Sequence, residues 1–143
     1  MKKLGIVFCL VAAVFLFPKC ADETFPEGKI LYQKNCENCH MENGEGLGGL
    51  IPPLAGADFL DKKWRDLPCI LKNGIETEIS VNGKIYHEKM PGVPTLSEAE
   101  ITNILNYIGR AWGNNLTIWK VEEVRECLER CKTVFPPAQV KEF

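Results

Sequence analysis

The apolar positions change period several times along the chain, and each change marks a boundary. Leu4 to Phe17 is an unbroken apolar run of 14 residues behind Lys2 and Lys3. That run is too short to span a bilayer comfortably, so with its basic start it predicts a signal peptide over residues 1–21 and export. From Glu27 to Asn35, Gly28, Leu31 and Tyr32 fall on one face at i, i+3 and i+4, which predicts the first globular helix. Glycine inside a helix costs about 1 kcal/mol relative to alanine, and Gly28 is read as the point where another helix crosses closely. Gly44 to Gly56 has no period, and its glycines together with Pro52-Pro53 predict a close-fitting loop. Asp58 to Asn73 predicts a helix in two pieces. Phe59, Leu60, Trp64 and Leu67 are its apolar positions, Pro68 suits the first turn of the second piece, and Gly74 suits its stop.

At Glu78 to Tyr86 the period falls to two, and Asn82-Gly83 between alternating apolar residues predicts a β-hairpin. The hairpin delivers the segment His87 to Gly92. Ser97-Glu98-Ala99-Glu100 has the form of a capping box. Behind it Ile101, Ile104, Leu105 and Ile108 predict an amphipathic helix to about Trp112, stopped by Gly113. Ile104 and Tyr107 are the natural contacts for Gly28 and Tyr32. Thr117 to Lys132 predicts an added helix with Val121, Val124, Leu128 and Cys131 on one face, and Phe135 to Phe143 a frayed or contact tail. The fold class is therefore all-α with one short hairpin, and 143 residues allow one domain at most.

Candidate chemistry enters at Cys36-Glu37-Asn38-Cys39-His40. Two cysteines three apart lie on the same side of a helical turn, so their sulfurs can reach the two vinyl groups of one porphyrin, with His40 beneath the iron. A thioredoxin-like pair would sit in a βαβ context, and nothing upstream of Cys36 reads as a buried strand. A zinc site would need a second Cys/His cluster, which His87 and scattered cysteines do not supply. Pro52 or Pro53 can offer a carbonyl to the Nδ1 proton of His40 and fix its ring. Met90, stiffened by Pro91, is the one thioether able to reach the opposite face, since Met41 adjoins His40 and Met1 leaves with the signal segment. His87 is its rival. Trp64 either donates its indole N–H to a haem propionate or belongs to the core.

Charge and cysteine usage narrow the setting. The whole chain carries a formal net charge of −2. Loss of the first 20 residues removes Lys2, Lys3 and Lys19 and no acid, leaving 14 basic against 19 acidic side chains, which argues against a nucleic-acid partner. Lys62, Lys63, Lys84 and Lys89 could still form a local basic ring. Leu16 to Lys19 ahead of Cys20 loosely resembles a lipoprotein box, with Lys19 where a small residue belongs. Two maturation routes stay open: a lipid anchor on Cys20, or cleavage after Ala21 to leave a soluble periplasmic protein. Apart from Cys9, Cys20 and the haem pair, the seven cysteines leave Cys69, Cys127 and Cys131. Cys127 and Cys131 are one helical turn apart, where direct pairing is strained, so Cys69 should bond one of them. Closing a loop of about 60 residues is worth roughly 4 kcal/mol in the chain-entropy model.

The order of helix, C-x-x-C-H, Gly/Pro loop, helix, Met-Pro and terminal helix resembles a class I c-type cytochrome over Phe25 to Trp112. The resemblance divides the chain into a cytochrome c domain at 25–113 and an added extension and tail at 114–143. It implies one covalent haem c held by Cys36 and Cys39, with His40 and Met90 as axial ligands and Gly28, Tyr32 and Tyr107 at the crossing of the terminal helices. With both axial positions filled, the expectation is a monomeric electron-transfer protein and not an enzyme, meeting donor and acceptor proteins transiently in the periplasm. The alternative is a fixed haem-bearing subunit of a larger oxidase or nitrite-reductase assembly. A haem sensor or peroxidase-like enzyme would instead need a labile sixth ligand.

Overall fold

The computed structural model describes residues 25–134. The expected signal peptide, the Cys20 lipidation site and the tail from Phe135 lie outside the described residues.

Helix α1 (Pro26–Asn35) opens with Pro26, whose fixed φ and missing N–H suit a first helical turn. It leads into a single turn, α2 (Glu37–His40). A glycine-rich loop then connects to α3 (Asp58–Lys62), a 3-10 turn (Trp64–Asp66) and α4 (Leu67–Asn73), which ends at Gly74 with φ 82°. Four short strands follow: β1 (Gly74–Ile75), β2 (Ile79–Val81), β3 (Lys84–Tyr86) and β4 (Met90–Pro91). Strands β2 and β3 form the expected hairpin, turning at Asn82-Gly83 with both residues at positive φ. Unforeseen is a second antiparallel pair, β1 with β4, that sets Gly74 against Pro91 and Ile75 against Met90. The expectation of an all-α fold with one short hairpin is thus modified by one further small ladder.

Helix α5 (Glu98–Ile108) forms the spine. Ser97 Oγ accepts from the Glu100 amide at 3.3 Å while Glu100 Oε2 accepts from the Ser97 amide at 2.8 Å, completing the capping box. Its Ile101, Ile104, Leu105 and Ile108 are all buried, each contributing about 1.5–3 kcal/mol relative to exposure. Helix α1 crosses α5 at Gly28, where a Cβ would fall 2.7 Å from Tyr107 Cβ and onto the Asn103 carbonyl. No other residue permits that approach. Beside the crossing, Tyr32, Tyr107 and Trp112 form a cluster with ring centroids 5.1–5.6 Å apart.

The spine stops earlier than the pattern predicted. Its last helical residue is Ile108 and its C-cap is Gly109; Gly113 instead closes a 3-10 turn (Ala111–Gly113) in which Trp112 adopts φ 53°. The turn aims Trp112 at the aromatic cluster, and Asn114 Nδ2 takes over the orphan Ile108 carbonyl at 2.8 Å.

The added helix, α6 (Val121–Val134), begins four residues later than expected. Residues 117–120 are non-helical. Within them Trp119, 5% exposed, stacks on Trp64 with centroids 4.7 Å apart. Helix α6 packs Val124, Cys127 and Cys131 inward, against α4 and α5. Of the two candidate pairings the structure forms Cys69–Cys131, with Cα atoms 5.8 Å apart. Cys127 remains a buried free thiol, with Arg130 Nη2 2.9 Å from its sulfur.

Candidate cofactor site

The Cys36–His40 turn is built by α1. The Cys36 amide donates to the Tyr32 carbonyl at 2.8 Å, and the amides of Cys39 and His40 both return to the Cys36 carbonyl at 3.1 and 2.9 Å. Cys36 and Cys39 therefore share one turn, as two free thiols, the first half-buried and the second exposed. Burial, with Cys39 beside it, pushes the Cys36 thiol up to about 11. Helix α1, and no buried strand, precedes this turn among the described residues, so the βαβ setting of a thioredoxin-like pair is not found there. Among the described residues no group of three or more His, Cys, Asp and Glu side chains could hold a metal ion by itself.

His40 is 7% exposed, with Nδ1 3.1 Å from the Pro52 carbonyl. A carbonyl only accepts, so Nδ1 carries the proton and the Nε2 lone pair is left free. Burial lowers the His40 pKa below its usual 6.5, against an opposing contribution from the Pro52 hydrogen bond, which keeps the ring neutral and able to ligate. Of the two prolines, Pro52 meets the ring and Pro53 does not take that place.

Four hydrogen bonds with no short-range signal hold this wall. Tyr32 Oη donates to the Met41 carbonyl at 2.6 Å, fixing the turn where Met41 takes φ 63°. The Gly46 amide donates to the His40 carbonyl at 3.1 Å. Asn114, 60 residues beyond Leu54, donates to its carbonyl at 3.0 Å and accepts from the Gly56 amide at 2.9 Å.

Met90 sits half-buried in β4. Its strand is drawn against the end of α4 by two glycines. A Cβ on Gly74 would strike the Met90 carbonyl and lie 2.6 Å from the Gly92 amide, and one on Gly92 would lie 2.6 Å from the Lys72 carbonyl. The Val93 amide continues the contact, donating to the Leu71 carbonyl at 2.8 Å. Gly74 was legible as a helix stop; its second task, giving Met90 room, was not. His87 is 74% exposed and pairs across 3.4 Å with Glu78 on the hairpin. Trp64 turns its ring to Trp119 and is shared with the extension.

The four lysines proposed as a ring are each engaged locally. Lys62 pairs with Asp58 at 2.6 Å and Lys63 with Asp66 at 3.5 Å. Lys89 pairs with Glu76, and Lys84 lies over the Tyr86 ring. Such exposed pairs contribute little to stability, but they neutralise much of the patch.

The donor set fits a haem of the covalently attached type. Two unpaired thiols share one turn, and the adjoining imidazole is held with its second nitrogen free. A thioether stands on a separately anchored strand.

The comparisons agree with that fit. The family model for Cytochrome c matches residues 25–112. The chain is similar to a cytochrome c-552 of Thermus thermophilus, 33% identical over 118 residues that cover 80% of this chain and 74% of the relative. A second Thermus thermophilus cytochrome c-552 is 37% identical over 92 residues, covering 62% and 70%. The cytochrome c subunit of a quinone alcohol dehydrogenase from Gluconobacter oxydans is 33% identical over 92 residues, 62% of this chain but 19% of that protein. On this span of likeness, joined to the Cys36–His40 turn it contains, the chain belongs to the cytochrome c family and its cofactor is covalently bound haem c.

Proposed function

We propose that the protein is a monohaem electron carrier working outside the cytoplasm. Cys36 and Cys39 would form the two thioether links to the haem, and His40 Nε2 and Met90 Sδ would hold its iron. The observation that carries this reading is the His40 Nδ1 to Pro52 hydrogen bond of 3.1 Å, which aims an unprotonated Nε2 away from the loop. The bound haem supplies one-electron chemistry between Fe(II) and Fe(III). With His40 and Met90 both holding the iron, neither oxygen nor substrate would find an open site. The Met90 thioether is a soft ligand that raises the potential relative to a second imidazole. Donor and acceptor proteins dock transiently over a small area. The signal peptide expected over residues 1–21 supports the periplasm as the setting of the exchange.

One observation favours a second reading, a fixed subunit of a larger oxidoreductase. The Gluconobacter oxydans relative is a dehydrogenase subunit, and here α6 adds a surface beyond the matched span. Recovery as a free monomer supports the carrier, and co-purification with a membrane complex supports the subunit.

Mass spectrometry of the native protein tests the linkage: the mass should equal the mature peptide plus one haem, with Cys36 and Cys39 both modified. Met90→Ala should lower the potential and let the reduced protein bind carbon monoxide. An unchanged spectrum and potential in that variant would show that another group, His87 first, is the ligand.

A further inference from the structure

We infer that Gly46 is a positioning residue for the proximal imidazole, and that the space it leaves empty helps set the reduction potential. The inference rests on the reading of His40 as an iron ligand. Gly46 touches both partners of the His40–Pro52 hydrogen bond. Its amide donates to the His40 carbonyl at 3.1 Å. On its other side, a Cβ would fall 2.7 Å from the Pro52 carbonyl oxygen, the atom that accepts from Nδ1, and would strike the Ile51 carbonyl as well.

The loop cannot move aside cheaply. Leu47 and Ile51 exchange backbone hydrogen bonds of 3.1 and 3.2 Å, closing the segment between Gly46 and Pro52 into a small ring of chain. Two residues beyond Pro52, Leu54 donates to the Gly44 carbonyl at 2.7 Å and anchors the far side. Any side chain at 46 therefore pushes the Pro52 carbonyl off the imidazole.

The consequence is electronic. A hydrogen bond from the distal ring nitrogen raises the basicity of a metal-bound imidazole. A more basic ligand favours the more positive iron. Lengthening the Nδ1 to Pro52 contact makes the ring a poorer donor, destabilises Fe(III) and raises the potential.

Gly48 supplies the control. It too holds a positive φ, 50° against 73° at Gly46, but a Cβ there meets nothing within 4 Å. Both glycine-to-alanine changes impose left-handed strain, and only one reaches the carbonyl.

The experiment is spectroelectrochemical titration of the holoprotein and its Gly46→Ala and Gly48→Ala variants, with a urea midpoint for each. Gly46→Ala should raise the potential by about a tenfold change in the reduction equilibrium, some ~59 mV for one electron, while Gly48→Ala lowers stability and leaves the potential in place. Equal shifts, or no shift in Gly46→Ala, overturn the proposal. If Gly46→Ala does not accumulate, Gly46→Ala/Pro52→Ala, in which φ at 52 is freed, should shift further upward than Pro52→Ala alone; identical potentials in that pair also overturn it. His40→Ala separates the two levels. If it changes the haem spectrum while the two glycine variants shift alike, Gly46 alone is misassigned; if it changes nothing, the ligand assignment itself falls.

Discussion

The side-chain amide of Asn106 pairs with the backbone of Trp119 in both directions, Nδ2 donating to the carbonyl at 3.0 Å and Oδ1 accepting from the amide at 2.7 Å. Both residues are buried. Asn106 thus does for one residue what a neighbouring strand would do, and it seats the start of the C-terminal extension against α5. Removing it leaves a buried N–H and a buried C=O without partners, at about 1–3 kcal/mol each. Asn106→Ala should lower unfolding stability by about 2–4 kcal/mol in urea titration, with the haem absorption spectrum unchanged. Loss of haem incorporation in that variant would contradict a purely structural role.

The bridge between Cys69 and Cys131 spans 62 residues of sequence. In the chain-entropy model a loop of that size contributes about 4 kcal/mol. Cys69→Ser/Cys131→Ser should unfold at correspondingly lower denaturant, again with an unaltered spectrum. A midpoint within error of the wild type would show that burial of α6, and not the bond, holds the extension.

Gly74→Ala should act on the thioether side. Its added methyl has backbone on two sides, the Met90 carbonyl and the Gly92 amide, and its φ of 82° disfavours any side chain. Under the proposed ligation by Met90, we expect its partial loss, read as carbon monoxide binding by the reduced protein, at denaturant concentrations where helical circular dichroism is intact. Simultaneous loss of both signals would mean that the strand contact serves the whole fold.

Acid should weaken the capping box. Glu100 titrates below its usual 4.5 because the Ser97 amide and hydroxyl hydrogen-bond its carboxylate. A folded pKa below the unfolded one means that the unfolded chain binds more protons between the two values. The stabilisation is therefore complete above about 4.5 and is lost as pH falls through the folded value. Glu100→Gln, which keeps an acceptor but cannot titrate, should flatten the urea midpoint between pH 6 and pH 3 relative to wild type. Parallel slopes would rule the residue out.

What the sequence made legible was local. The hairpin at Asn82-Gly83, the capping box at Ser97 and the thiol-imidazole turn at Cys36–His40 each depend on residues within a few positions of one another, so their spacing carries their geometry. Gly28 was readable because an interior helical glycine needs a reason, and α5 provides it. The end of α5 was misplaced because the apolar period continues to Trp112 while the chain turns at Gly109 to bring that ring onto Tyr32. Asn106, Asn114 and the Trp64–Trp119 stack left no trace, since each partner lies far away in sequence or presents only backbone. The choice between Cys127 and Cys131 rested on which turn of α6 faces α4, and both sit on its inward side.

The β1–β4 contact ties the Met90 strand to the end of α4, and Cys69 in α4 is bolted to α6 from behind. Under the proposed ligation, the Met90 sulfur, mounted on so braced a wall, would have little room to shift when the iron changes charge. Less atomic displacement would then accompany each electron, and the barrier to exchange would fall. On that reading, speed of transfer would be partly a matter of masonry laid at Cys131, well downstream of Met90 in the sequence.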